Sequence, residues 1–136
     1  MAPATARRTQ PPTPARAAHV LIVDDDPDIL GLIRMALDEA GYSVATATNG
    51  RLALERIAER RPAVVLLDLT MPVMNGWQLN ERLRELYPGL PVVFMTAAFR
   101  ARTEAETHGA AGYLAKPFDV DDLLETVARF ASGTPS

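Results

Sequence analysis

Five short apolar runs divide the chain, and between them apolar residues recur at helical spacing. The run with least polar relief is Val64-Val65-Leu66-Leu67, which ends in Asp68. A run of this length and composition predicts a strand buried on both faces. His19-Val20-Leu21-Ile22-Val23 predicts an earlier strand, and it ends in Asp24-Asp25-Asp26. Tyr42 to Ala47 alternates with period two and predicts another. Pro91 to Met95 predicts a fourth, with its proline at the permitted first position, and runs into Thr96-Ala97-Ala98. Gly112-Tyr113-Leu114-Ala115 predicts a short fifth strand that stops at Lys116-Pro117.

The intervening segments have helix signals. Asp26 is a good N-cap and Pro27 a good first helical residue. Ile29, Leu30, Ile33, Leu37 and Ala40 then fall on one helical face, and Gly41 suits the C-terminal end. Asn49-Gly50 turns the chain into a second helix with Leu52, Ala53, Leu54, Ile57 and Ala58 on its apolar side, and Arg60-Arg61-Pro62 ends it. A third helix, opened by Trp77, carries Leu79, Leu83 and Leu86, and Pro88-Gly89 stops it. Residues 100–108 have helical composition but little apolar face, which predicts a marginal element with His108 as a solvated surface residue. Asp119 caps a last helix carrying Leu123, Leu124, Val127, Ala128 and Phe130. Strand and helix thus alternate five times. This order predicts an α/β fold: a single doubly wound, five-stranded parallel sheet with helices on both faces and right-handed crossovers.

Residues 1–17 break the pattern. They hold four of the eleven prolines and no branched or aromatic apolar residue, so they predict a disordered leader. Residues 18–131 form the predicted domain, and residues 132–136 a frayed tail. The net charge is −3, but the leader carries three arginines and no acid. Without it, 11 basic residues face 17 acidic ones. That balance argues against direct nucleic-acid binding. The chain has no cysteine, which excludes disulfides and thiolate metal sites. No apolar run approaches the roughly 18 residues of a membrane span.

Chemistry enters at the strand ends. In an open parallel sheet, ligands bind outside the carboxyl ends of the strands. The first strand delivers Asp24, Asp25 and Asp26 to that edge, the third Asp68, the fourth Thr96, and the fifth Lys116, the only lysine in the chain. A single aspartate after a strand is most often a turn or cap residue, and Asp26 fits that role. The joint pattern asks for more. Clustered carboxylates repel unless a cation joins them. An all-oxygen donor set without histidine or cysteine suits Mg2+, which commonly shares its site with phosphate oxygens. An ammonium and a hydroxyl are the groups expected around a phosphoryl unit. Asp68 could then act as a nucleophile that accepts a phosphoryl group as an acyl phosphate.

The stretches LIVDDDPDIL, VVLLDLTMPVMNGWQL, PVVFMTA and GYLAKPF, in this order and spacing, resemble the response-regulator receiver domains of two-component signalling (CheY-like) over about residues 18–131. The resemblance implies the flavodoxin-like (βα)5 strand order 2-1-3-4-5. It implies that Asp68 is the phosphoacceptor, with Lys116 and Thr96 completing the catalytic set. It implies Mg2+ held by Asp25, Asp68 and the backbone carbonyl of Thr70, with Asp24 assisting. It implies Thr96 and Tyr113 as the switch pair and a cis bond before Pro117. The implied donor is a sensor histidine kinase or histidine phosphotransfer protein, and the implied receiver of the signal is a downstream protein target. The implied setting is cytoplasmic, with no membrane partner.

The expected protein is therefore a phosphorylation-activated switch rather than a turnover enzyme, acting alone as a single-domain regulator. A receiver cut from a longer response regulator or hybrid kinase is the alternative. An aspartyl-phosphate hydrolase is the rival from another class; it usually needs a second acid two residues after the nucleophile, where this chain has Thr70. A phosphorylation-independent interaction module would not need the full set of strand-end residues. Tyr113 could equally be an ordinary half-buried strand aromatic, and Trp77 either a partner contact or a partly buried residue. Met71 and Met74 fit loop packing.

Overall fold

The computed structural model describes residues 18–69 and 76–131. The expected leader and tail, Thr70, Met71 and Met74 lie outside the described residues. Five strands form one sheet: β1 (His19–Val23), β2 (Ser43–Ala47), β3 (Val64–Asp68), β4 (Val92–Ala97) and β5 (Gly112–Lys116). The order is β2-β1-β3-β4-β5 and every pairing is parallel. Helices α1 (Pro27–Glu39), α2 (Gly50–Glu59), α3 (Gly76–Leu86), α4 (Ala98–His108) and α5 (Val120–Ala131) alternate with the strands.

Strand alternation sorts the core into two halves. Leu21 and Val23, Val65 and Leu67, and Val92 and Phe94 pack with residues of α2, α3 and α4. Val20 and Ile22, Val64 and Leu66, and Val93 and Met95 pack with residues of α1 and α5. All five residues of β3, between the two halves, are buried, which is why this strand has no polar alternation.

The helix ends follow their sequence signals. The Asp26 carboxylate accepts from the Asp28 amide at 2.9 Å, and Pro27 stands at the first helical position. Asn49 Oδ1 accepts from the Leu52 amide, and Asp119 Oδ1 from the Asp122 amide. Two boundaries differ from expectation. Thr96 lies inside β4 rather than after it, because pairing with β5 continues through Ala97. Helix α4 starts at Ala98 directly from the strand, with no side-chain cap at its N-terminus.

Candidate metal and phosphoryl site

The strand ends place the charged groups together. Val20, Ile22 and then Asp24 have one parity; so do Val64, Leu66 and Asp68, and Leu114 and Lys116. These apolar residues all belong to the α1/α5 half of the core. Asp24, Asp68 and Lys116 therefore continue one face of the sheet to its carboxyl edge. Thr96 follows Val92 and Phe94 on the opposite parity, toward α3 and α4, and Tyr113, which pairs with Phe94, shares it.

Asp24 is 1% exposed and Asp68 4%, whereas Asp25 is exposed. One carboxylate oxygen from each of the three lies within 4.8 Å of the others. Lys116 Nζ donates to Asp24 Oδ2 at 3.2 Å and lies 3.6 Å from Asp68 Oδ1. The Asp26 amide donates to Asp24 Oδ1 at 2.9 Å, so the acidic triplet folds back on itself. Burial pushes the Asp24 carboxyl above the usual carboxylate range. The charge of Asp68 adds to that shift, while the Asp26 amide and Lys116 act against it. A carboxyl held at such a cost is one that a divalent cation would relieve. Three oxygens of this spacing, two of them nearly enclosed, fit a hard ion such as Mg2+. The carbonyl of Thr70, the fourth expected ligand, lies outside the described residues.

Thr96 is 4% exposed, one residue past Met95, which pairs with Asp68. Tyr113 is 44% exposed and does not take the half-buried position that an ordinary strand aromatic would. The Lys116-Pro117 bond is cis. Beside Lys116, a cleft of about 660 Å³ opens between α1 and α5, walled by Ile29, Leu32, Ile33, Phe118 and Leu123.

On the far side of the sheet one expectation changes and one open alternative is decided. His108 is half-buried rather than solvated, because its ring lies 5.9 Å from that of Trp77 and 6.4 Å from that of Phe94. Trp77 is half-buried, and its indole N–H donates to Glu104 Oε1 at 2.9 Å. Sequence reading missed Arg100 and Glu104 entirely. Their i,i+4 spacing, repeated by Glu104 and His108, was the available signal.

A doubly wound parallel sheet with an acidic cluster and one lysine at its carboxyl edge places the chain among α/β proteins whose site lies at that edge. Comparison with known proteins narrows the class. Residues 20–128 match the model of the response regulator receiver domain, and the chain belongs to that family of two-component signalling domains. It is 40% identical over 115 residues to the DNA-binding transcriptional regulator NtrC of Escherichia coli, a match that covers 83% of this chain and 24% of NtrC. It is 37% identical over 107 residues to the probable transcriptional regulatory protein TcrX of Mycobacterium tuberculosis, covering 77% of this chain and 46% of TcrX. The chain thus spans a quarter to a half of the length of these relatives. Among solved structures, the chemotaxis protein CheY4 of Vibrio cholerae superposes with a TM-score of 0.76 at 36% identity, covering 83% of this chain and 98% of CheY4. No helix among the described residues is long and apolar enough to cross a membrane.

Proposed function

We propose that this receiver domain is switched by transfer of a phosphoryl group to Asp68. The donor is a phosphohistidine on a sensor histidine kinase or histidine phosphotransfer protein. An Asp68 oxygen forms the new P–O bond while the P–N bond breaks, and the electron pair returns to the imidazole nitrogen. The observation that carries this reading is the setting of Asp68. It is a nearly enclosed carboxylate at the end of a fully buried strand, with Lys116 Nζ 3.6 Å away and the acids Asp24 and Asp25 beside it.

Asp24, Asp25 and Asp68 would hold Mg2+, together with the carbonyl of Thr70. When bound, the ion supplies positive charge to the transferring oxygens. Lys116, beside both Asp24 and Asp68, supplies a second positive charge from within the protein. Thr96 can offer its hydroxyl to the same group. Its displacement would be passed to Tyr113 and to α4, which changes the face offered to a downstream protein. The apolar cleft between α1 and α5 adjoins Lys116 and suits the partner that brings the phosphoryl group. We propose a cytoplasmic setting, and the domain either acts alone or drives further domains of a longer regulator.

The test is incubation with Mg2+ and acetyl phosphate, followed by intact mass measurement. The expected product carries one phosphoryl group that is acid-stable and base-labile. Asp68→Asn abolishes it. No adduct, or an adduct that survives this substitution, would overturn the reading.

A further inference from the structure

Among the described side chains of α4, the apolar anchors are small. Ala101 and Ala105 are its only buried residues among those with described side chains, and its N-terminus has no side-chain cap. Polar groups of α3 add to its packing on β4 and β5. The Trp77 indole N–H donates to Glu104 Oε1 at 2.9 Å. Arg100 donates to Glu104 Oε2 at 3.0 Å, and its guanidinium lies 5.7 Å from the centre of the Trp77 ring. His108 Nε2 lies 3.4 Å from Glu104 Oε1. At the far end of the helix, buried Asn80 and exposed Arg84 both donate to the His108 carbonyl, at 2.9 and 3.2 Å. There the chain turns through Gly109 at φ +70°, with Arg84 so close that an added Cβ would meet its guanidinium at 3.2 Å.

The placement of this cluster gives it meaning. Trp77 is the second residue of the helix that receives the chain after Asp68. Helix α4 begins two residues after Thr96. The Trp77–Glu104 bond therefore ties together the two segments that leave the site. We propose that Trp77, Arg100, Glu104 and His108 form a latch that holds α4 against α3 in the resting state, and that phosphorylation of Asp68 works against it. The inference rests on Asp68 as phosphoacceptor.

Linkage sets the consequence. An interaction present in the resting state alone lowers the affinity for whatever stabilises the other state. Breaking the latch then tightens binding of a phosphoryl mimic. Beryllofluoride with Mg2+ is the probe, and Trp77, the only tryptophan, is the reporter. Titration of the parent is expected to change Trp77 emission and raise its quenching by acrylamide. Glu104→Ala, which removes the acceptor of the Trp77 and Arg100 bonds, is expected to begin with that higher quenching and to bind the mimic about fivefold more tightly. Amide exchange checks the fold: strand amides stay protected in the variant while those of α4 exchange faster. Unchanged or weaker binding by Glu104→Ala overturns the latch. So does an adduct that forms in the parent without a Trp77 response. Failure of the parent to take either acetyl phosphate or beryllofluoride overturns the Asp68 reading, and the latch falls with it.

Discussion

Replacing Asp24 with asparagine removes a buried charge and keeps the shape of the side chain. At an effective dielectric of about 20, repulsion from Asp68 across at most 4.8 Å is about 3–4 kcal/mol, and attraction to Lys116 at 3.2 Å is about 5 kcal/mol. Exposed Asp25 adds roughly 1 kcal/mol of repulsion in a wetter medium. These contributions nearly cancel. What remains is the removal of the carboxylate from water, at several kcal/mol for a group this enclosed, offset in part by the amide of Asp26. The raised pKa of Asp24, with burial as its first cause, reflects the same imbalance.

The sign follows from proton linkage. A carboxyl whose native pKa is raised binds its proton more tightly when folded. Its contribution to stability is full below the ordinary value of 3.8 and is lost as pH rises through the native value. At pH 7 the ionised side chain burdens the metal-free fold, whereas asparagine does not. In EDTA at pH 7, Asp24→Asn is therefore expected to be about 1–2 kcal/mol more stable than the parent. That is about 3–8 °C in thermal midpoint. The gap should close as pH falls toward 4. Adding Mg2+ should reverse the order, because binding stabilises the parent by mass action and the variant has lost a carboxylate. Thermal melts followed by circular dichroism, in EDTA and in an Mg2+ series, measure all three effects. A variant less stable than the parent in EDTA at pH 7 would refute the reasoning, because the Lys116 pair would then outweigh the cost of burial.

Lys116→Met leaves Asp24 and Asp68 without their ammonium; urea unfolding in EDTA should show a loss of about 1–3 kcal/mol, with Mg2+ restoring part of it. His19 has its pKa lowered, first by burial and then by Arg60, with its contact to Ser43 acting the other way. Neutral imidazole therefore supports the fold above the ordinary value of 6.5, and this support is lost as pH falls through the lowered value. His19→Gln should flatten the decline in stability from pH 6.5 to 5, and an unchanged slope would count against this assignment. Phe94→Ala, at a side chain with no exposure, should cost about 3–5 kcal/mol by chemical denaturation without changing the strand order. A loss under 1 kcal/mol would mean the core closes over the gap.

Much of this fold is written in local periodicity. Val64 to Leu67 admits little besides a strand covered on both sides, and Asp26-Pro27 and Asn49-Gly50 mark helix starts by chemistry that acts within three residues. Gathering Asp24, Asp25, Asp68 and Lys116 was equally legible, because parallel strands must present their carboxyl ends on one edge. Strand parity, a finer signal, also separates Thr96 from the carboxylates, but only once the exact strand ends are known. The contacts of Trp77 and His108 were not legible. Those of Trp77 with Glu104 and His108 join residues 27 and 31 positions apart through a helix pair whose relative placement no local pattern specifies. The polar composition of residues 100–108 suggests a solvated helix. In the fold, Arg100, Glu104 and His108 all meet Trp77 of α3, and polarity that looked like exposure serves as attachment.

That attachment bears on how one site could produce a signal. The two faces of the sheet carry different tasks. Asp24, Asp68 and Lys116 lie at the end of the face covered by α1 and α5, where the charge would change. Thr96 and Tyr113 lie on the face toward α3 and α4, where a response would be seen. A rigid, fully apolar contact between α4 and the sheet would resist small rearrangements, since close-packed cores do not deform continuously. A helix whose buried anchors, among its described side chains, are two alanines can exchange one set of polar partners for another at modest cost. The small apolar anchors described for α4 therefore fit the proposed switch: β3 and β4 are closely packed beside the site, and α4, which begins two residues after Thr96, is joined to α3 by polar contacts that can be exchanged.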